Sequence, residues 1–173
     1  IFESDPKIIK DRSYRRIDTF NQSDLYEWMN EEMLDRILGA SALRSALVEG
    51  ENGLLYPLTD EQFLRSDYGF SPARYGVVKV RKAYPTDYAL AQGVYQDANK
   101  ASPYWVATVK TADGYMLQIV GYDGHLSYGA YPRVNIGLRP SVMLDLSMVT
   151  IAGGEGTRDN PFQLVCTGET ATD

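Results

Sequence analysis

The chain has one cysteine and one histidine among its 173 residues. A single cysteine excludes an intramolecular disulfide, and one His with one distant Cys does not supply the usual ligands of a zinc site. No apolar run approaches the roughly 20 residues that a membrane-spanning helix needs, so we expect no membrane insertion. The net charge is −6; because phosphate binding needs clustered cations, we expect no nucleic-acid partner.

Candidate catalytic groups are also few. A Ser-His-Asp site would have to be built around His125, which follows a predicted turn and has only Ser127 as a nearby nucleophile. We expect this histidine to pack on its turn or to be exposed. The residues whose oxygens could reach a calcium ion lack the spacing of an EF-hand loop and are interpreted as turn residues: Asp123, Asp145, Glu155, Asp159 and Asn160. We therefore expect no catalytic residue, metal or cofactor, with a converging carboxylate pair as the alternative.

The first half of the chain has helical periodicity. Ser23 is a suitable N-cap, Gly39 is a suitable end, and apolar residues recur between them at spacings of three and four: Leu25, Trp28, Met29, Met33 and Ile37, widened by Leu34 and Leu38. Further short helices are predicted over 41–48, 59–64 and 86–91. Residues 53–56 read as a buried strand, and the basic cluster 79–82 reads as a solvated face.

After residue 93 the period changes from 3.6 to 2, which indicates strands. The predicted strands are 104–110, 115–120, 125–128, 141–146, 147–151 and 161–165. Helices come first and antiparallel strands later, so the predicted class is α+β with one mainly antiparallel sheet. The turns at Asp113-Gly114 and Asp123-Gly124 make the region 105–128 a meander. Its middle strand is apolar on both faces and is expected to be covered on both sides.

Several segments, in this order, resemble a bacterial domain-of-unknown-function family, number six-two-seven-three, from gut Firmicutes and their phages. They are DLYEWMN (24–30), LLYPLT (54–59), PTDYALAQGVY (85–95), YWVA (104–107), GLRPSV (137–142) and GEGTRDNPF (154–162). The family is related to the C-type-lectin-like fold of formylglycine-generating enzymes. The resemblance implies a twisted antiparallel sheet flanked by two helices, with long loops on one side.

Departures from the family pattern limit what the resemblance implies. After Tyr104-Trp105 the chain reads Val-Ala-Thr-Val-Lys where the family has Leu-Arg-Ser-Pro-Gly. Formylglycine-generating enzymes use a cysteine pair, whereas this chain has only Cys166, in its polar tail. The Glu-Pro-Asn and Gln-Pro-Asp triplets of calcium-dependent lectins are absent as well. Neither activity is expected.

Another branch of that fold comprises the variable receptor proteins of diversity-generating retroelements, which bind through aromatic and small polar side chains near the C-terminal strands. The resemblance implies a similar ligand-binding face here, and its candidate residues are Tyr104, Tyr115, Tyr122, His125, Ser127, Tyr128, Tyr131, Arg133 and Asn135. Tyrosine offers a large contact area at little entropic cost. Tyrosine is also a good strand former, so packing alone is the competing explanation. Trp28, Trp105, Arg139 and Pro140 are assigned to structure.

These observations predict an N-terminal extension (1–22), one C-type-lectin-like domain (23–165) and a polar tail (166–173). The expected function is non-enzymatic recognition of a protein or glycan by a bacterial or phage surface protein. A diversity-generating-retroelement variable protein is the specific case considered. The alternative is a structural or assembly module of a larger surface protein, without a ligand of its own. We expect an extracellular, cell-surface or phage-particle location.

Overall fold

The computed structural model describes residues 17–109, 117–127, 135–157 and 159–167. Short helices fill the first half of these residues, and antiparallel strands fill the second half. The predicted α+β class is therefore confirmed.

The first helix begins and ends where its caps predict. The Ser23 hydroxyl accepts a hydrogen bond from the Tyr26 amide at 3.1 Å, and Gly39 follows the last turn with φ +48°. The helix comprises α1 (Asp24–Trp28), a π-helical turn (Met29–Met33) and α2 (Leu34–Ile37). A π-helical turn rotates the residues that follow it away from a strict 3.6-residue period. Ile37, predicted on the apolar face, is consequently 52% exposed.

The remaining helices are single turns. Thr59 and Gln62 form a reciprocal capping box, in which the Thr59 hydroxyl accepts from the Gln62 amide and the Gln62 side chain accepts from the Thr59 amide. Thr86 caps α3 (Asp87–Ala91) by accepting from the Ala89 amide. The 3₁₀ helices are Phe20–Gln22, Ala42–Ala46, Gln62–Leu64, Ser66–Tyr68 and Lys79–Arg81.

Residues 53–56, predicted to be a strand, are buried but irregular. The end residues form only isolated bridges, Gly53 with Gly50 and Tyr56 with Ser141. The central residues bond a side chain instead of a strand: the Asn30 carboxamide oxygen accepts from the amides of Leu54 at 2.9 Å and Leu55 at 3.0 Å. The Asn30 nitrogen donates to the carbonyls of Tyr26 and Leu55. Asn30 thus replaces part of a strand ladder, which explains why the strand prediction is wrong.

Within the described ranges the strands form three small sheets, whereas one mainly antiparallel sheet was predicted. The pairs are β1 with β5 and β6 with β7, and the three-stranded sheet has the order β2-β3-β4, all antiparallel. The strands are β1 Leu47–Val48, β2 Tyr104–Val109, β3 Leu117–Val120, β4 Leu126–Ser127, β5 Met143–Leu144, β6 Val149–Gly153 and β7 Gln163–Cys166. The β2-β3-β4 order confirms the predicted meander. The turn predicted at Asp113-Gly114 lies outside the described residues.

Among the residues that the structure describes, the meander separates two hydrophobic cores. Tyr104 and Val106 of β2 pack with Phe63 and Leu126 in one core. Ala107 of β2 belongs to the other core, which contains the first helix and residues 54–58. Successive strand residues point to opposite faces, so β2 contributes to both. The middle strand β3 is covered on both sides, as predicted.

The β6-β7 hairpin closes the described chain. Its Gly-rich connection forms a bulged loop with a register shift between Ile151 and Gly153. Cys166, which was placed in a polar tail, is instead the last residue of β7 and is buried. The strand therefore extends one residue beyond its predicted end, because Cys166 pairs with Val149.

Candidate recognition surface

The turn between β3 and β4 carries three of the predicted site residues in or beside it, Tyr122, His125 and Ser127. The Gly121 amide donates to the His125 carbonyl at 2.9 Å, and the Gly124 amide donates to the Gly121 carbonyl at 2.8 Å. Gly124 has φ +88°, and a Cβ there would lie 2.0 Å from the Val78 carbonyl oxygen. Only glycine combines this φ with so close a backbone approach. The Asp-Gly signal is thus explained by a tertiary contact as well as by turn geometry.

Asp123 and His125 contact each other through their side chains within this turn. The Asp123 carboxylate contacts His125 Nδ1 and also accepts from the His125 amide at 3.2 Å. Burial by itself raises the pKa of the Asp123 carboxyl, but the hydrogen bonds from His125 outweigh it and leave that pKa below its usual value. The imidazole lies against Gly121, whose absent side chain makes room for it. The ring is therefore oriented by a carboxylate on one edge, with both side chains about 30% exposed.

A second segment, residues 74–78, lies alongside the turn. The Val78 amide donates to the Asp123 carbonyl, and the Leu126 amide donates to the Arg74 carbonyl, both at 2.9 Å. Arg74 is in turn paired with the nearly buried Asp60 at 2.8 Å, and Asp60 also bonds Thr108 of β2. The turn and the segment are thus held to the meander by backbone and side-chain bonds together.

Arg81 fixes this arrangement from inside. Its side chain is 0% exposed and donates to four backbone carbonyls, those of Phe63, Ser71, Ala73 and Gly124. Burial lowers the pKa of the guanidinium, which nevertheless stays charged. The basic cluster 79–82 was predicted to be a solvated face, and for Arg81 that prediction is wrong. Four hydrogen bonds from its guanidinium join the loop 63–73 to the 121–125 turn.

Among the predicted binding residues, Tyr104 is a core residue. It is 1% exposed, its hydroxyl donates to the Arg81 carbonyl at 2.7 Å, and burial raises the pKa of that hydroxyl. Arg139, assigned to structure from the sequence, lies over the Tyr104 ring, with Cζ 5.2 Å from the ring centroid. Tyr104 therefore does not contribute to an exposed face.

The other predicted residues differ in their settings. Tyr122 is 48% exposed at the tip of the turn, and His125 and Ser127 are partly exposed. Asn135 is exposed on a different segment. Its side-chain nitrogen donates to the Gly93 carbonyl, and its backbone carbonyl accepts from the Tyr95 amide. Tyr115, Tyr128, Tyr131 and Arg133 lie outside the described residues.

Sequence reasoning missed the exposed residues of the segment 68–95. Exposed tyrosines and valines are concentrated there: Tyr68, Tyr75, Val77, Val80, Tyr84, Tyr88 and Tyr95. The available signal is the run YGVVKVRKAY (75–84), in which aromatic and aliphatic residues are mixed with cations without strand or helix period.

The Asp123 carboxylate orients the His125 imidazole. Among the described residues, no hydrogen bond joins His125 to Ser127. Within the same residues, no group of three or more His, Cys, Asp or Glu side chains is placed to hold a metal ion. What the surface offers is an exposed tyrosine, an oriented imidazole and adjoining apolar side chains on a backbone held by hydrogen bonds.

Comparison with known proteins gave no match: no family model, no curated protein and no solved structure is similar to this chain. None of the helices in the described ranges is long and apolar enough to cross a membrane.

Proposed function

We propose that this chain is a non-enzymatic ligand-recognition domain of a bacterial or phage surface protein, binding a protein or glycan through the Tyr122 turn. The Tyr122 turn is the segment 121–125 with the side chains that it presents. The observation that carries the proposal is the exposure of Tyr122 on a turn whose backbone is held by Val78 and by the buried Arg81. A pre-ordered aromatic side chain loses little conformational entropy on binding.

The proposed fold is C-type-lectin-like, and the proposed relationship is with the family named above. The support is the order of motifs in the sequence together with a first helix followed by an antiparallel meander. If the chain is a diversity-generating-retroelement variable protein, its gene will lie beside a reverse transcriptase and a near-copy of the region that encodes residues 104–142. A gene neighbourhood without either would refute that specific assignment.

The function is tested by a protein and glycan binding screen that compares the wild-type chain with Tyr122→Ala. We expect the variant to bind at least about tenfold more weakly. Replacement of a central aromatic residue by alanine commonly costs an interface about 2 kcal/mol or more. Tyr88→Ala is the matched control, because Tyr88 is an exposed tyrosine on α3, outside the turn. Equal losses in both variants, or no loss in either, would contradict the proposal.

The second candidate function is an assembly module. It is supported by exposed apolar side chains on and beside the β6-β7 hairpin, namely Leu146, Ile151 and Phe162. A soluble monomer rarely exposes large contiguous apolar patches. If this function is correct, Ile151→Ser will weaken incorporation into the parent assembly, and Tyr122→Ala will leave it unchanged.

A further inference from the structure

We propose that the segment 74–84, which adjoins the Tyr122 turn, binds an extended acidic peptide of a partner protein. The inference rests on the proposed recognition function and specifies the ligand class. We call this segment the basic strip.

Two of the four cations in the basic strip are at least partly exposed and have no carboxylate partner within the part of the chain that the structure describes. The strip contains Arg74, Lys79, Arg81 and Lys82 and has no acidic residue, in a chain of net charge −6. Arg74 is paired with Asp60, and Arg81 is buried on carbonyl oxygens. Lys79 is exposed and Lys82 half-buried, and among the described residues neither ammonium lies within 4.0 Å of a carboxylate. Two uncompensated cations favour an anionic partner.

The apolar side chains of the strip favour a peptide over an anionic polysaccharide. Val77 is 67% exposed and Val80 is 56% exposed, and the two tyrosines at the ends of the strip, Tyr75 and Tyr84, are more than half exposed. Tyrosine rings can stack on sugars or on side chains. Exposed valines instead match the apolar side chains of a polypeptide, whose burial is favourable at roughly 25 cal/mol per Å².

The backbone of the strip has groups that a peptide can bond. Residues 74–78 bond β4 and its turn on one side through the Arg74 carbonyl and the Val78 amide, and they bend at Gly76, which has φ +82°. Within the described residues, the backbone groups of Gly76 and Val77 have no backbone hydrogen-bond partner. A peptide that lies along these groups gains main-chain hydrogen bonds, while its side chains supply specificity. Arg81 and Gly124 already order this segment, which lowers the entropic cost of binding.

The experiment uses fluorescein-labelled decapeptides in which Glu alternates with a mixture of Val, Ile and Tyr, measured by fluorescence anisotropy. The comparison probes are the same peptides with Lys in place of Glu, and heparin as an anionic polysaccharide. The test variant is Lys79→Glu/Lys82→Glu. Its matched control is Arg36→Glu/Lys100→Glu, which has the same net charge but changes exposed cations outside the strip.

We expect the acidic peptides to bind and the double strip variant to weaken them by about tenfold or more, because each reversal replaces an attraction by a repulsion. Affinity will fall as NaCl rises, since the screening length is about 10 Å at 0.1 M salt. Val77→Ser will weaken binding without affecting the fold, because Val77 is exposed. The control variant will bind as the wild type does.

Other outcomes overturn the inference. These are equal binding of the lysine peptides, binding of heparin only, no binding of any probe, or a dimer that Lys79→Glu/Lys82→Glu dissociates.

The experiment distinguishes failure of this inference from failure of the proposed recognition function. Ligand binding that needs Tyr122 but not the lysines would leave the recognition function and remove the acidic peptide. Peptide binding that needs the lysines but not Tyr122 would support the basic strip as the peptide site and refute recognition through the Tyr122 turn.

Discussion

Replacement of Arg81 by methionine tests whether one buried side chain holds the candidate surface together. Methionine has a similar length and fills the space, but it cannot donate to the four carbonyls that Arg81 now satisfies. A buried group left without its partner costs about 1–3 kcal/mol, and disruption of a buried charged network costs about 3–5 kcal/mol. The lower range applies to the carbonyls nearer the surface, which water can reach. We therefore expect a loss of about 3–5 kcal/mol in the free energy of unfolding.

The loss is measured by urea unfolding, followed by the fluorescence of Trp28 and Trp105. With a slope of about 2 kcal/mol per M urea, the midpoint will fall by roughly 1.5–2.5 M. Lys82→Met is the control, since Lys82 is only half-buried and donates no side-chain hydrogen bond among the described residues; it is expected to change stability by about 0.5 kcal/mol or less. Arg81→Lys will be intermediate, because one ammonium cannot reach four separated carbonyls. An Arg81→Met midpoint within the error of the wild-type value would refute the argument.

Three further predictions concern the same framework. Gly124→Ala will destabilise the fold by about 2–3 kcal/mol, because residue 124 has φ +88° and the added Cβ clashes with the Val78 carbonyl. Gly76→Ala will cost only about 1 kcal/mol, because residue 76 has φ +82° but open space around it. Urea midpoints measure both losses, and equal losses would contradict the clash. Asn30→Ala will cost about 2–3 kcal/mol in the same assay because two backbone amides lose their acceptor, while the exposed Asn99→Ala will be nearly neutral. The lowered pKa of Asp123 stabilises the fold at pH values above the unfolded value of about 3.9, and this stability is lost as pH falls through the lower folded pKa. Asp123→Asn will therefore reduce stability at pH 7 and flatten its fall below about pH 4; an unchanged acid slope would show that the pair contributes nothing.

Local signals along the chain predicted most of the elements. Ser23, Thr59 and Thr86 cap helices as expected, since capping depends on a side chain and the amides two or three residues away. The turn at Asp123-Gly124 and the bulged β6-β7 loop also follow from local chemistry. The strand prediction for the segment 53–56 failed because of a distant residue: Asn30 bonds the amides of Leu54 and Leu55.

The candidate surface shows the same division. Composition indicated tyrosines near the C-terminal strands, and Tyr122 is exposed there. Composition could not separate Tyr122 from Tyr104, because both lie at or near the end of a strand and only packing places Tyr104 in the core. It also could not show that Arg81 is buried while the neighbouring Lys79 is exposed, since a basic run looks the same in either case.

The sequence by itself determined the α+β class, the positions of the helix caps, the meander and its tight turn, because each depends on residues close together in the chain. The tertiary structure decided which aromatic residues are exposed, where the buried guanidinium lies, and that residues 74–78 adjoin the Tyr122 turn. Those features depend on contacts such as Arg81 with Gly124, across 43 positions of sequence. No local pattern encodes such a contact, since it forms only when the loop and the turn pack against the same core.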